Sequence, residues 1–296
     1  MTFSATEAAF EGFRVVRRHP LAVLFWGLAY ALMYGVVFGL FGGPLTSMMA
    51  AMIANMTEGA SSATEIEQLG ESSAGIIWLL APLLLVLGSV TSAAVARAVL
   101  RPSESAFGYL RLGGDELRVL AVSVVLFIVT LGASMLLFGL TGVLVELAKA
   151  VNAGVAILVL ILFGCASVGA LLWLTVRLSL AVPITVAEQR IAPFASFALT
   201  KGQTPSLLGM AILAGVMSML VSLLVSVVAL PATIAIGGES GLMAYAGRST
   251  LEILQQAAPV VIVWVLVNAL QGALQLAVLY APFSAAYRDL KGLPHE

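Results

Sequence analysis

Charge is the scarcest commodity in this chain. Of 296 residues only 10% are Asp, Glu, Lys or Arg, against about 25% in an ordinary soluble domain. With 61% hydrophobic residues and a mean hydropathy of +1.08, a single soluble core would leave too few polar residues to cover its surface. The net charge of −1 gives no basic field for nucleic acid. One cysteine, Cys165, excludes an intramolecular disulfide. Histidine is confined to His19 and His295, outside every long apolar run. The serine of Gly238-Glu239-Ser240-Gly241, which looks like a rhomboid GxSG, therefore has no membrane histidine as its base. Leu112-Gly113-Gly114-Asp115 lacks the first glycine of the GxGD motif and a second intramembrane aspartate. No HExxH motif and no Walker loop occur. Paired acid–base catalysis has almost nothing to work with, so neither an enzyme nor a cofactor or metal site is expected.

Long apolar runs are what the chain does have. A membrane helix needs about 20 apolar residues to cross a hydrocarbon core roughly 30 Å thick. Six stretches reach that length: Leu21–Phe41, Ile76–Ala96, Val119–Leu140, Ala153–Val176, Leu207–Ala229 and Pro259–Tyr280. They are continuous rather than alternating, which excludes transmembrane β-strands. Inside lipid each backbone polar group needs an internal partner, so the runs are helical. The first run is longer than a signal-peptide core and follows Glu7 and Glu11, so it reads as an uncleaved span. No acid lies in the middle of any span, which argues against a coupled transporter using a membrane carboxylate.

The few basic residues sort by side. Twelve of the fourteen lie in the N-terminal segment, the second and fourth connections and the C-terminal tail; only Lys149 and Arg248 lie elsewhere. The positive-inside rule places both termini in the cytoplasm. Three elbow segments precede outgoing spans on that side: Phe3–Arg18, Ser103–Arg111 and Ile191–Lys201. Each pairs aromatics at helical spacing (Phe10 and Phe13, Phe107 and Tyr109, Phe194 and Phe197) and ends in a polar break. Ser4 and Glu7 have capping-box spacing, Thr204 and Asp115 are good N-caps, and Pro20 and Pro205 suit a first helical turn. Each returning span ends near a proline: Pro102, Pro183 and Pro282. The expected architecture is an all-α membrane protein of six transmembrane helices, one domain over residues 1–296, with cytoplasmic amphipathic elbow helices and a three-fold repeat of helical hairpins. In the first outer connection Pro44–Met56 reads as a short helix and the Ser-, Gly- and Glu-rich Thr57–Gly75 as a mobile segment.

Three groups of residues can carry function. Ser218, Ser222 and Ser226 share one face of the fifth span, and Asn268, Gln271 and Gln275 share one face of the sixth. Such stripes either hydrogen-bond between helices or line a wet path. Arg14, Arg17 and Arg18, with Arg97 and Arg177 about one turn inside the second and fourth spans, can meet lipid phosphates or a partner's carboxylates. Met48, Met52 and Met56 fall at i, i+4 and i+8, a spacing open to Cu(I), but with no His or Cys nearby they read as a flexible apolar face.

The run from Arg177 through Pro183 and Glu188 to Ser196, Leu199-Thr200 and Gly202, with the closing Ala281-Pro282-Phe283 and Tyr287-Arg288, resembles the membrane domain of the glycerophosphodiester phosphodiesterases and related bacterial inner-membrane families over about residues 170–290. The resemblance implies a bacterial inner-membrane location. It carries no activity, because the chemistry of that family sits in a separate soluble domain. The expected function is a non-catalytic scaffold, assembly factor or regulator in contact with membrane lipids and a membrane-protein partner. The alternative is a passive transporter, channel or lipid-handling protein with a polar path between spans five and six.

Overall fold

The computed structural model describes residues 4–58, 63–103, 106–235 and 244–294. Two short helices, α1 (Ala5–Ala9) and α2 (Glu11–Arg18), lead into α3 (Pro20–Glu58). Then come α4 (Ala63–Leu100), a turn over Ala106–Tyr109, α5 (Gly114–Lys149), α6 (Ala153–Leu178), α7 (Ala181–Glu188), α8 (Ala195–Leu199) and α9 (Thr204–Ala235). The chain closes with α10 (Thr250–Gln256) and α11 (Ala258–Lys291). Six of these helices are long and apolar enough to cross a membrane, which makes this an all-α membrane fold with six spans.

The helices overrun the apolar runs that define them. Pro44, where a separate short helix is expected, lies inside α3. The Thr46 and Ser47 hydroxyls donate to the Gly43 carbonyl at 2.8 and 3.1 Å, supporting the backbone next to the ring. The segment expected to be mobile is corrected as well. Thr57 and Glu58 end α3, and Ala63–Gly75 opens α4, because its Ala, Glu, Gln and Leu content favours helix; residues 59–62 lie outside the described residues. Pro282 does not end the last helix, which continues to Lys291.

α11 is the hub. It packs on α2, α3, α4 and α9, and it touches α1, α7 and α10. Ala269, Ala273, Ala277, Ala281 and Ala285 recur every fourth residue and are all buried. In lipid no hydrophobic force draws helices together, so small residues that let backbones approach are what make close packing possible. At Gly12 of α2 a Cβ would stand 2.5 Å from the Val278 Cα, so only glycine permits this crossing. α4 brings its own small run, Ala93, Ala94, Ala96 and Ala98, all buried. At the opposite end, Gly43 of α3 donates to the Thr250 hydroxyl at 3.0 Å, and a Cβ there would meet the Arg248 carbonyl at 2.6 Å.

α5 and α6 form a tight hairpin joined by the Thr141–Ser167 hydroxyl pair at 3.0 Å. It rests on α4 and α7, with lighter contact between α6 and α9. Only 11% of the most apolar window of each of these spans is buried, against 56% for α4, so the hairpin lies at the lipid-facing edge. The three hairpins are therefore packed differently: α3 lies mainly against α11 rather than against α4, its sequence partner.

The elbows differ too. α1 and α2 bury Ala8, Ala9 and Val15 and leave Phe10 and Phe13 partly exposed, their rings 6.3 Å apart. Ser4 caps α1 by accepting from the Glu7 amide at 3.4 Å. α8 keeps Phe194 and Phe197 similarly paired at 6.4 Å. The middle elbow is not an amphipathic helix. Phe107, Gly108 and Tyr109 all have φ between 51° and 65°, a left-handed turn held by the Trp26 indole donating to the Gly108 carbonyl at 2.8 Å and by Arg97 donating to the Tyr109 carbonyl at 2.7 Å.

A candidate intramembrane binding cavity

Because the α5–α6 hairpin leans on the bundle mainly through α4 and α7, a space remains between it and the hub. The cavity has a volume of about 830 Å³ and is walled by α4, α5, α7, α9, α11 and the end of α6. That is at the upper end of ordinary ligand sites, roughly 300–1,000 Å³. No described residue lining it is charged. Leu84, Phe127 and Tyr280 line it yet stay substantially exposed, so it opens sideways at the depth of the spans.

The lining is graded along its length. Leu80, Leu84, Leu126 and Phe127 lie farther from the termini, with Thr130 a turn beyond them on α5, while Ser92, Ser123, Ser179 and Ser284 lie, with Pro183 and Phe283, toward the end that carries both termini. Several hydroxyl protons are already committed to their own helices. Ser89 donates to the Leu85 carbonyl at 2.6 Å, Thr175 to Leu171 at 2.8 Å and Ser179 to Val176 at 2.8 Å. These groups present lone pairs inward. Ser123 and Ser284 make no side-chain hydrogen bond among the described residues and can also donate. The cavity thus offers an apolar slot with a neutral, hydrogen-bonding end.

The polar stripes of spans five and six meet at one point. The Gln271 amide donates to the Ser222 hydroxyl at 3.0 Å. Asn268 turns back to donate to the Trp264 carbonyl of its own helix at 2.8 Å. Ser218 is buried, Gln275 is half-buried and Ser226 is exposed. Val221, Val225 and Val278 close an apolar seam between α9 and α11. The stripes therefore share one interhelical hydrogen bond rather than a continuous row.

The two span-end arginines, equivalent by position, meet different fates. Arg97 is 1% exposed, forms an ion pair with Glu116 and lies 3.9 Å from Asp115. The expectation that it reaches a lipid phosphate or another chain is corrected: its charge is buried and answered inside the chain. Glu116 also accepts from the Gly113 amide at 3.0 Å. Asp115 lies in the first turn of α5 and binds Arg118 at 2.6 Å and Arg101 at 3.7 Å. Arg101 in turn donates to the Val186 carbonyl at 2.9 Å, tying α4 to α7. Arg177 is half-buried with its guanidinium 5.7 Å from the Trp173 ring and 5.1 Å from the Phe197 ring. Among the described residues it has no carboxylate partner, and its Nε has no hydrogen-bond acceptor. Ser196 and Thr200 instead donate to its backbone carbonyl at 2.6 and 3.5 Å.

At the N-terminal elbow, Arg14 pairs with Glu11 at 3.0 Å, while Arg17 and Arg18 are exposed. Glu11 is buried and faces Arg288 at 3.7 Å. Glu116 was not singled out by sequence, and Glu11 and Arg288 entered only as an acid ahead of the first span and as part of the family resemblance, although Glu11 and Glu116 sit in the first turns of helices, where acids are favoured. Ser240 and the side chains of Met52 and Met56 lie outside the described residues. No protein-family model, no curated protein and no solved structure matches this chain.

Proposed function

We propose that this chain is a non-catalytic, lipid-handling protein of a bacterial inner membrane that holds one amphiphile in its lateral cavity. The observation that carries this reading is the 830 Å³ space between the α5–α6 hairpin and the hub. An uncharged slot, open at span depth and graded from leucine to hydroxyl, suits an acyl chain with a neutral or hydrogen-bonding head near one end. The distribution of basic residues supports a cytoplasmic position for both termini, and on that reading the hydroxyl-rich end lies in the cytoplasmic leaflet. The Arg177 guanidinium, between two aromatic rings and with no carboxylate partner among the described residues, is the nearby group best suited to a lipid phosphate. The wet path between spans five and six is the weaker alternative, since one hydrogen bond and a valine seam join those helices.

Gly88 supplies the test. It lines the cavity, and a Cβ built on it meets nothing within 4 Å, so a larger side chain can leave the backbone there unhindered and Gly88→Phe reduces the space. Native mass spectrometry of protein released gently from its own membrane is expected to show one retained lipid-mass adduct in the wild type. Gly88→Phe should lose that adduct while still unfolding cooperatively, its melting temperature lowered by no more than delipidation lowers that of the wild type. Equal retention by the variant, or no defined adduct in the wild type, would count against the reading.

A scaffold, assembly or regulatory role is favoured by one observation, the sparse burial of α5 and α6. The same spectra test it, since a stoichiometric protein partner that survives Gly88→Phe and detaches on substitution of the hairpin's outer face is the result that role requires.

A further inference from the structure

We propose that the chain carries a second, phosphate-recognising site at its terminal end, distinct from the lipid-sized cavity and independent of the function proposed for it. It is a cavity of about 330 Å³ bounded by α2, the end of α4 and α11, with Ala98, Val99 and Pro102 as its apolar floor. Its polar walls are Glu11, Arg18, His19 and Arg288.

Arg288 is the centre of the argument. The residue is 8% exposed, yet its Nε has no hydrogen-bond partner among the described residues. The carboxylates beside it stand at ion-pair distances, Glu11 at 3.7 Å and Asp289 at 3.6 Å, longer than hydrogen bonds. The other Glu11 oxygen is engaged by Arg14 at 3.0 Å. A buried guanidinium N–H that goes unanswered is costly, and a ligand oxygen in the cavity would answer it. Arg18 faces the same space with no ion-pair partner among the described residues.

The charge count indicates what fits. Of the charged residues that line the cavity, two guanidiniums (Arg18, Arg288) stand against one carboxylate (Glu11), leaving one positive charge. His19 adds a hydrogen-bonding group rather than a charge at neutral pH. Burial, and then the neighbouring Arg18, hold it below its ordinary 6.5, and its ring sits edge-on to Tyr109 at 5.5 Å. The matching ligand carries a single negative charge. Its acceptors must diverge, because Arg18 and Arg288 come from different helices. A planar carboxylate satisfies one fork, whereas the tetrahedral oxygens of a phosphate monoanion or phosphodiester can meet both. The volume, near the lower limit for small-molecule sites, holds a phosphate and a few further atoms. The cavity adjoins Pro20, where α3 begins, so the phosphate can belong to a lipid headgroup or to a free solute.

Thermal unfolding of the purified full chain in detergent distinguishes these sources. Two titrations are run: inorganic phosphate against chloride at constant ionic strength, and phosphatidylglycerol against a phosphate-free glycolipid. The variants are Arg18→Gln, exposed and unpaired, and Arg288→Lys, which keeps the charge beside Glu11 but loses the fork; Arg17→Gln, outside the cavity, is the control. A saturable rise in Tm with inorganic phosphate, its midpoint shifted about tenfold by Arg18→Gln and by Arg288→Lys but not by Arg17→Gln, assigns the site to a free phosphate. The same variant pattern with phosphatidylglycerol alone assigns it to a headgroup. No saturable rise with either probe, an unchanged midpoint in Arg18→Gln, or an equal shift in Arg17→Gln overturns the proposal.

Discussion

A buried arginine in a membrane protein is tolerable only when its partner is buried with it. Arg97 and Glu116 are 1% and 6% exposed at their side chains, and breaking such a pair from one side leaves an uncompensated charge that costs about 3–5 kcal/mol. Glu116→Gln is therefore expected to lower stability by about that much in equilibrium unfolding. The double change Arg97→Met with Glu116→Leu should recover most of the loss. If Glu116→Gln costs below about 1 kcal/mol, Asp115 has taken over the pairing. His19 gives a second test at this scale. Its pKa in the fold lies below 6.5, chiefly through burial and then through Arg18, so the unfolded chain binds the proton more readily. Stability contributed by neutral His19 is present above 6.5 and declines as pH falls through 6.5 toward the folded-state value. His19→Gln should flatten that part of a stability-against-pH curve measured from pH 7.5 to 5.

Between the helices, stability depends on how close two backbones can come. Gly12→Ala puts a methyl carbon into the backbone of α11 at Val278, and α2 must move away. Overpacking of this kind costs about 1–3 kcal/mol, and the displacement should raise proteolytic cleavage of the N-terminal elbow without altering the other spans. The Gln271–Ser222 hydrogen bond is a weaker joint. Interhelical hydrogen bonds in membranes average about 0.6 kcal/mol, so Gln271→Leu and Ser222→Leu should each cost about that much in thermal unfolding and show matching coupling in a double-mutant cycle. Were the pair part of a wet path instead, both changes would abolish solute flux in vesicles and leave stability unchanged.

Across the whole molecule, the spans were legible from hydropathy because lipid imposes one rule on every segment that crosses it. The helical caps at Ser4 and the starts at Pro20 and Pro205 were legible for the same reason: they depend on neighbours within one turn. What lies between helices was not. The sequence makes Arg97 and Arg177 look equivalent. They diverge because a left-handed turn over Phe107–Tyr109, which φ > 0 at two aromatic residues makes hard to anticipate, folds Glu116 under one arginine and not the other. The alanine stripe from Ala269 to Ala285 was in plain view, but in a chain this rich in small residues nothing in spacing alone distinguishes the seam that other helices use. The 830 Å³ cavity belongs to the lean of one hairpin and has no signature in any single segment.

The central place of α11 also bears on biosynthesis. Chain order puts the shared partner of α1, α2, α3, α4 and α9 after all of them. Five spans must therefore enter the bilayer and wait there with the faces meant for the alanine stripe unoccupied, and α2 of the N-terminal elbow can take up its place only once α11 has been made, although α1 also has α9 to rest on. A truncation after Ala257 should yield a membrane-inserted but protease-sensitive product. Supplying residues 258–296 as a separate polypeptide in the same cell should restore protection. Assembly of this bundle is thus timed by α11, and any quality-control factor that recognises unpaired spans has the interval between the first span and α11 in which to act.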